Sequence, residues 1–368
     1  MPTRLFTLAL LAFLFLPVIA RAEGAAETAV LPPELPWTGQ SRALVAAAGD
    51  PWITPAEASG LTTTPSYDET VAWLRRLVAA APELEMVSLG KSWEGRDVWM
   101  VIASSDRAFS PGALARTGKA IVLAQAGIHA GEIDGKDAGL MLLRDLTVGG
   151  SKRALLDKAA FLFVPILNVD GHERASRWAR MNQRGPERMG WRTNARNLNL
   201  NRDYAKLDTP ELRAVIAAIN AWQPDVYVDL HVTDGVDYQY DITWGATGPH
   251  AWSPKIAGWL EDVLRPALDR DLEAMGHVPG RLVFPIDATD VGKGLWDWTA
   301  TPRFSDGYGS ARHLPTILVE NHSLKPYPQR VLGTYVWLAS CSATWVIAAP
   351  SCAPRSTTIG ASAPRCCR

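Results

Sequence analysis

His129 and Glu132 stand three positions apart in the run Gly127-Ile128-His129-Ala130-Gly131-Glu132, and a further histidine, His231, follows directly on an apolar run ending at Leu230. Two imidazoles and one carboxylate are the donors of a catalytic zinc site. Three protein ligands leave one position for water, whereas structural zinc is usually closed by four. The H-x-x-E spacing by itself is a weak signal, since a helix-start histidine and a solvated glutamate give the same pattern. Placement strengthens it. Each run before these residues reads as a strand, and sites in open α/β sheets gather at the carboxyl ends of strands. Residues 191–204 add Trp-Arg-Thr-Asn-Ala-Arg-Asn-Leu-Asn-Leu-Asn-Arg-Asp-Tyr. Arginine offers a planar fork to a carboxylate and asparagine adds neutral donors, so the segment suits a peptide's C-terminal carboxylate. Any one of these residues would also fit a polar surface loop.

Taken in order, these features resemble the zinc metallocarboxypeptidases typified by carboxypeptidase A, over roughly Tyr67 to Lys325. The resemblance rests on His129/Glu132, Asn168-x-Asp170-Gly171, Trp191-Arg192, Asn201-Arg202, the strand-end His231, and Glu320 closing the run Thr316 to Glu320. It implies one zinc per chain, held by His129, Glu132 and His231. It also implies that Arg192 polarises the scissile carbonyl, that Asn201 and Arg202 hold the substrate's terminal carboxylate, and that Glu320 is the general base. Tyr308, in a glycine-bearing stretch read as a loop, is the candidate for the family's mobile tyrosine, although it sits only 12 positions before Glu320. Asn199 replaces the acidic residue that often supports a zinc histidine, and its amide oxygen is left to do that work. The run after Glu320, Asn321 to Lys325, looks more like a bacterial branch of that family than its digestive enzymes.

The implied activity is hydrolysis of C-terminal peptide bonds, on peptides or proteins with a free terminal carboxylate, by zinc-activated water. A zinc amidohydrolase acting on cell-wall peptides or N-acyl amino acids is the alternative within enzymes, because those substrates carry the same carboxylate. An inactive zinc-binding recognition domain is the alternative outside them, and it gives Glu320 and Arg192 nothing to do.

The elements that must position these residues alternate. A helical pattern starts at Tyr67 and closes at Pro82, followed by a hairpin of 85–89 and 98–103. Strands are expected at 120–126, 160–167, 225–230 and 316–320, and helices at 136–147, 210–222 and 253–275. The fold class that follows is α/β: a mixed, mostly parallel central sheet flanked by helices on both faces, zinc carboxypeptidase-like.

Bulk properties set the remaining bounds. Hydrophobic residues form 47% of the 368 positions, enough for a sizeable core, and 37 basic against 38 acidic residues show no excess suited to nucleic acid. Residues 1–22 read as a signal peptide, with Arg4, an apolar stretch from Leu5 to Ile19, and Ala20-Arg21-Ala22 as the cleavage pattern. The mature chain is then expected to be exported, periplasmic or secreted, with no membrane association. Residues 23–62 read as a linker or an irregular wrap, 63–348 as the catalytic domain, and 349–368 as a Cys/Pro/Ser-rich tail without order. All 4 cysteines fall in the last 28 positions, so the body cannot depend on disulfides. Oligomeric state and C-terminal side-chain preference have no signature here.

Overall fold

The computed structural model describes residues 31–348. The signal-peptide reading, residues 23–30 of the extension, the tail, and Cys352, Cys366 and Cys367 lie outside the described residues. Ten strands are present: β1 (Leu84–Lys91), β2 (Asp97–Ala103), β3 (Ala120–Ala126), β4 (Ala159–Val164), β5 (Val226–Val232), β6 (Ile242–Gly245), β7 (Pro279–Arg281), β8 (Val283–Pro285), β9 (Leu295–Asp297) and β10 (Thr316–Asn321). The helices are α1 (Pro55–Ala58), α2 (Tyr67–Ala80), α3 (Pro111–Thr117), α4 (Asp134–Leu146), α5 (Val169–Glu173), α6 (Pro210–Trp222), α7 (Pro254–Gly258), α8 (Arg265–Ala274), α9 (Ser305–Ala311) and α10 (Tyr327–Ala348).

Eight strands form one sheet in the order β1-β2-β4-β3-β5-β10-β6-β7, and β8 pairs with β9 separately. The centre, β4-β3-β5-β10, is parallel, and β1, β2 and β6 join antiparallel. This is the expected mixed, mostly parallel sheet. Its two faces are built by simple alternation. Val122, Ala124 and Ala126 of β3 point into one core with α4, α8 and α10, while Ile121 and Leu123 point into a second with α3 and α6. Strands covered on both faces are largely apolar, and β3, β4 and β5 are buried at every position.

Helix ends are marked chemically. Ser66 and Glu69 form a capping box at α2, and Thr209 with Pro210 opens α6. The extension carries structure of its own: Thr54 and Glu57 cap α1, and Ala56 and Leu61 enter the core. The expected helix 253–275 is divided by a π-helical segment, Trp259–Leu264, between α7 and α8. The stretch holding Tyr308 is the helix α9, not the loop expected from its glycines. Among the described residues, no helix is long and apolar enough to cross a membrane.

Register fixes the site. In the β10–β5 pair, Glu320 stands opposite His231. Side chains alternate with a period of two, so neither residue can be moved by one position without changing face.

Candidate metal centre

The chain leaves β3 at Gly127, whose φ of +66° is the left-handed region open to glycine. The turn that follows is closed by the Glu132 N–H donating to the His129 carbonyl at 2.9 Å. Both side chains thereby face the end of β5, where His231 waits. One donor atom from each of His129, Glu132 and His231 lies within 4.8 Å of the others, and all three residues are buried.

The partners of each imidazole decide which nitrogen is free. His129 Nε2 lies 3.1 Å from Asn199 Oδ1, and His231 Nε2 lies 2.9 Å from Asp229 Oδ2. Both outer atoms are acceptors, so with a metal bound each Nε2 would keep its proton and each Nδ1 would turn its lone pair to the centre. Asn199 thus does support a ligand histidine through its amide oxygen. His129 Nδ1 approaches Glu132 Oε1 at 3.0 Å yet has no hydrogen-bond partner, and His231 Nδ1 lies 2.8 Å from Glu132 Oε2. Two imidazole Nδ1 atoms and a carboxylate, buried and aimed at one point, fit zinc and would hold it. Burial opposes the charge on Glu132, but His129 and Arg180 outweigh it and hold the carboxyl well below its usual range.

The other expected residues surround this group. Arg192 Nη1 is 3.0 Å from Glu132 Oε1, on a side chain that is 33% exposed. Its backbone is fixed by the Asn168-x-Asp170-Gly171 turn. Asn168 Nδ2 donates to the Arg192 carbonyl at 3.3 Å, and the Trp191 N–H donates to the Gly171 carbonyl at 2.7 Å. Asn201 Nδ2 is 3.5 Å from His231 Nε2, and its Oδ1 is buried without a partner. Arg202 lies over the Phe304 ring at 4.3 Å. Burial first, then Arg192 and Arg303, push its pKa down. Cations facing one another in this way make a receptor for an anion. Glu320 is partly exposed, but its Oε2 is buried and unpartnered. Burial raises its pKa, with help from Glu132 and Asp234 against the pull of His231. Tyr308 is engaged elsewhere. Its hydroxyl accepts from Arg312 at 2.8 Å, and its ring lies 5.8 Å from Tyr204.

Two residues of the site, Asp229 and Arg180, escape the sequence reading. Asp229 had a findable signal, since it sits two positions before His231 on one strand and so shares its face. Arg180, whose Nη1 is 2.9 Å from Glu132 Oε1, had none. Asp306, buried and bonded by Trp298 Nε1 at 2.9 Å, has its carboxyl pushed up to about 6 by burial.

A family model described as zinc carboxypeptidase matches residues 70–267, a span that holds the whole candidate metal-binding group, Arg192, Asn201 and Arg202 but stops short of Glu320. The chain is 35% identical over 107 residues, 28% of its length, to the inactive metallocarboxypeptidase ecm14 of Schizosaccharomyces pombe. It is 29% identical over 185 residues, 48% of its length, to carboxypeptidase D of Rattus norvegicus. It spans only 21% and 13% of those two relatives. In fold it is similar to a metallo-carboxypeptidase from Burkholderia cenocepacia, with a TM-score of 0.56 at 19% identity, covering 76% of this chain and 69% of that one.

Proposed function

This chain belongs to the zinc carboxypeptidase family, and on that premise we propose that it is an exported enzyme that removes C-terminal residues from peptides with a free carboxylate. The observation that carries the reading is the Glu320 carboxylate. It faces the histidine-carboxylate group from the paired strand, with one oxygen buried and unpartnered. A group held this way is suited to take up a proton and return it.

Bound zinc would supply a Lewis acid that lowers the pKa of a ligated water and polarises the scissile carbonyl. The chain's own residues supply the rest. Glu320 takes the proton of the attacking water at its carboxylate and returns it to the leaving amine. Arg192 donates from the half-open rim of the cleft to the oxygen on which charge develops. Arg202 and Asn201 hold the terminal carboxylate, and the absence of an ion pair to Arg202 among the described residues leaves its guanidinium available for it. Buried Asp229 and half-buried Asn199 keep the histidines in the tautomer that ligation requires. One relative is named as inactive. The presence here of Glu320, Arg192 and Arg202 together supports turnover.

A peptide pool with free and with amidated C-termini, incubated with and without a zinc chelator and followed by mass spectrometry, tests the proposal. Stepwise loss from the free peptides alone, abolished by chelator, is the expected result. Intact peptides in every arm, with one zinc bound per chain, would overturn it and direct attention to cell-wall peptides and N-acyl amino acids.

A further inference from the structure

Arg180 lies outside every motif that marks the site, yet its side chain is only 5% exposed and ends against a metal ligand. Its Nη1 is 2.9 Å from Glu132 Oε1, and its Nε donates to Gln183 Oε1 at 2.6 Å. Its Nη2 reaches the carbonyls of Val232 and Thr233 and Oδ1 of Asp234, each at 3.4 Å. Gln183 in turn donates to the Gly131 carbonyl at 2.9 Å, so the guanidinium is tied to both chain segments that present ligands.

Gly131, the glycine inside the H-x-x-E turn, is explained by the same contact. A Cβ there would collide with Cδ of Arg180 and stand 2.7 Å from the Gly190 carbonyl oxygen. The turn between the ligands His129 and Glu132 therefore needs glycine to admit this side chain. Glu132 is buried, and a buried carboxylate requires a compensating charge.

On the reading of His129, Glu132 and His231 as zinc ligands, we propose that Arg180 is a positioning residue of the metal centre: its buried guanidinium offsets the charge of Glu132, orients that carboxylate, and thereby sets how tightly the centre holds zinc. The guanidinium repels a divalent cation seated against the same carboxylate. Its charge therefore organises the ligand and weakens the grip on metal at once. The second effect separates this role from simple packing, because loss of a packing residue loosens ligands and weakens binding.

The test measures zinc affinity by chelator competition and thermal midpoints of metal-free and zinc-loaded protein. Arg180→Met is expected to bind zinc about tenfold more tightly. Its metal-free midpoint should fall by on the order of 5 °C, and its zinc-loaded midpoint by less. Arg180→Lys, which keeps the charge, should restore near-parental affinity. In the Glu132→Gln background, where there is no charge to offset, Arg180→Met should cost the metal-free protein much less. Unchanged or weaker zinc binding by Arg180→Met, or an equal midpoint drop in both backgrounds, would overturn the proposal. Should Arg180→Met fail to fold, Arg180→Gln serves in the same comparisons. Failure of the parent chain to bind zinc would instead sink the metal reading, and the metal-free cycle with Glu132→Gln would still decide the role of Arg180.

Discussion

The two sides of the cleft are built differently. On the metal side, His129, Glu132 and His231 are 3%, 2% and 3% exposed, and each has a partner behind it: half-buried Asn199, and buried Arg180 and Asp229. Two of these ligands sit at the ends of fully buried parallel strands. On the side proposed to receive substrate, Arg192 and Arg202 come from a stretch, 174–204, whose only regular features are the Ser176–Met189 bridge and the turn at Leu200–Arg202. The sheet supplies rigidity where charge must be held to a fraction of an ångström. Turns would supply reach if, as proposed, a mobile peptide is to be caught there.

The contrast is open to attack on both sides. Glu320→Gln should lower turnover by about 10³-fold while metal analysis still finds one zinc per chain. Near-normal rates would remove Glu320 from the role of base. Arg192→Ala should reduce kcat by about 10²-fold or more with little change in zinc affinity, because its donor acts on the developing oxyanion. A loss confined to KM would reassign it to ground-state binding. Asp229→Asn should weaken zinc binding roughly 10–100-fold by chelator competition, since the supporting carboxylate of His231 is gone. An unchanged affinity would mean that the metal side is less dependent on its buried partners than the geometry implies. The smallest effect belongs to the rim: Arg202→Ala should raise KM roughly tenfold for peptides with free C-termini, and leave kcat and zinc content alone.

What was legible in the chain follows the same division. The strand 120–126 and the helix 210–222 were readable because each carries a strong local signal: a run apolar enough for a strand covered twice, and a Thr-Pro start before an apolar period. The candidate metal-binding group was readable because strand ends and H-x-x-E spacing are local facts. β6 to β9 were missed, being three or four residues long and, from β7 onward, without a buried stripe. α10 was missed for the opposite reason. It is buried on nearly every side against α4 and α8, so no polar face sets its period. Its contacts are long-range: Tyr335 donates to Asp145 at 2.5 Å, and Tyr327 to Asp137. Tyr308 misled because glycines in short helices look like glycines in loops, and only tertiary packing against Tyr204 separates the two.

The pairing of Glu320 with His231 bears on which genetic accidents this scaffold can absorb. A residue inserted into or deleted from β10 ahead of Glu320 would bring Val319 or Asn321 into the place of the base, and would turn the glutamate towards the helical core behind the sheet. Length changes in the loops between β7 and β9 touch no such register. Natural variation in chain length should therefore collect in that outer region and be purged from the last central strand, even where a variant could still fold and bind its metal.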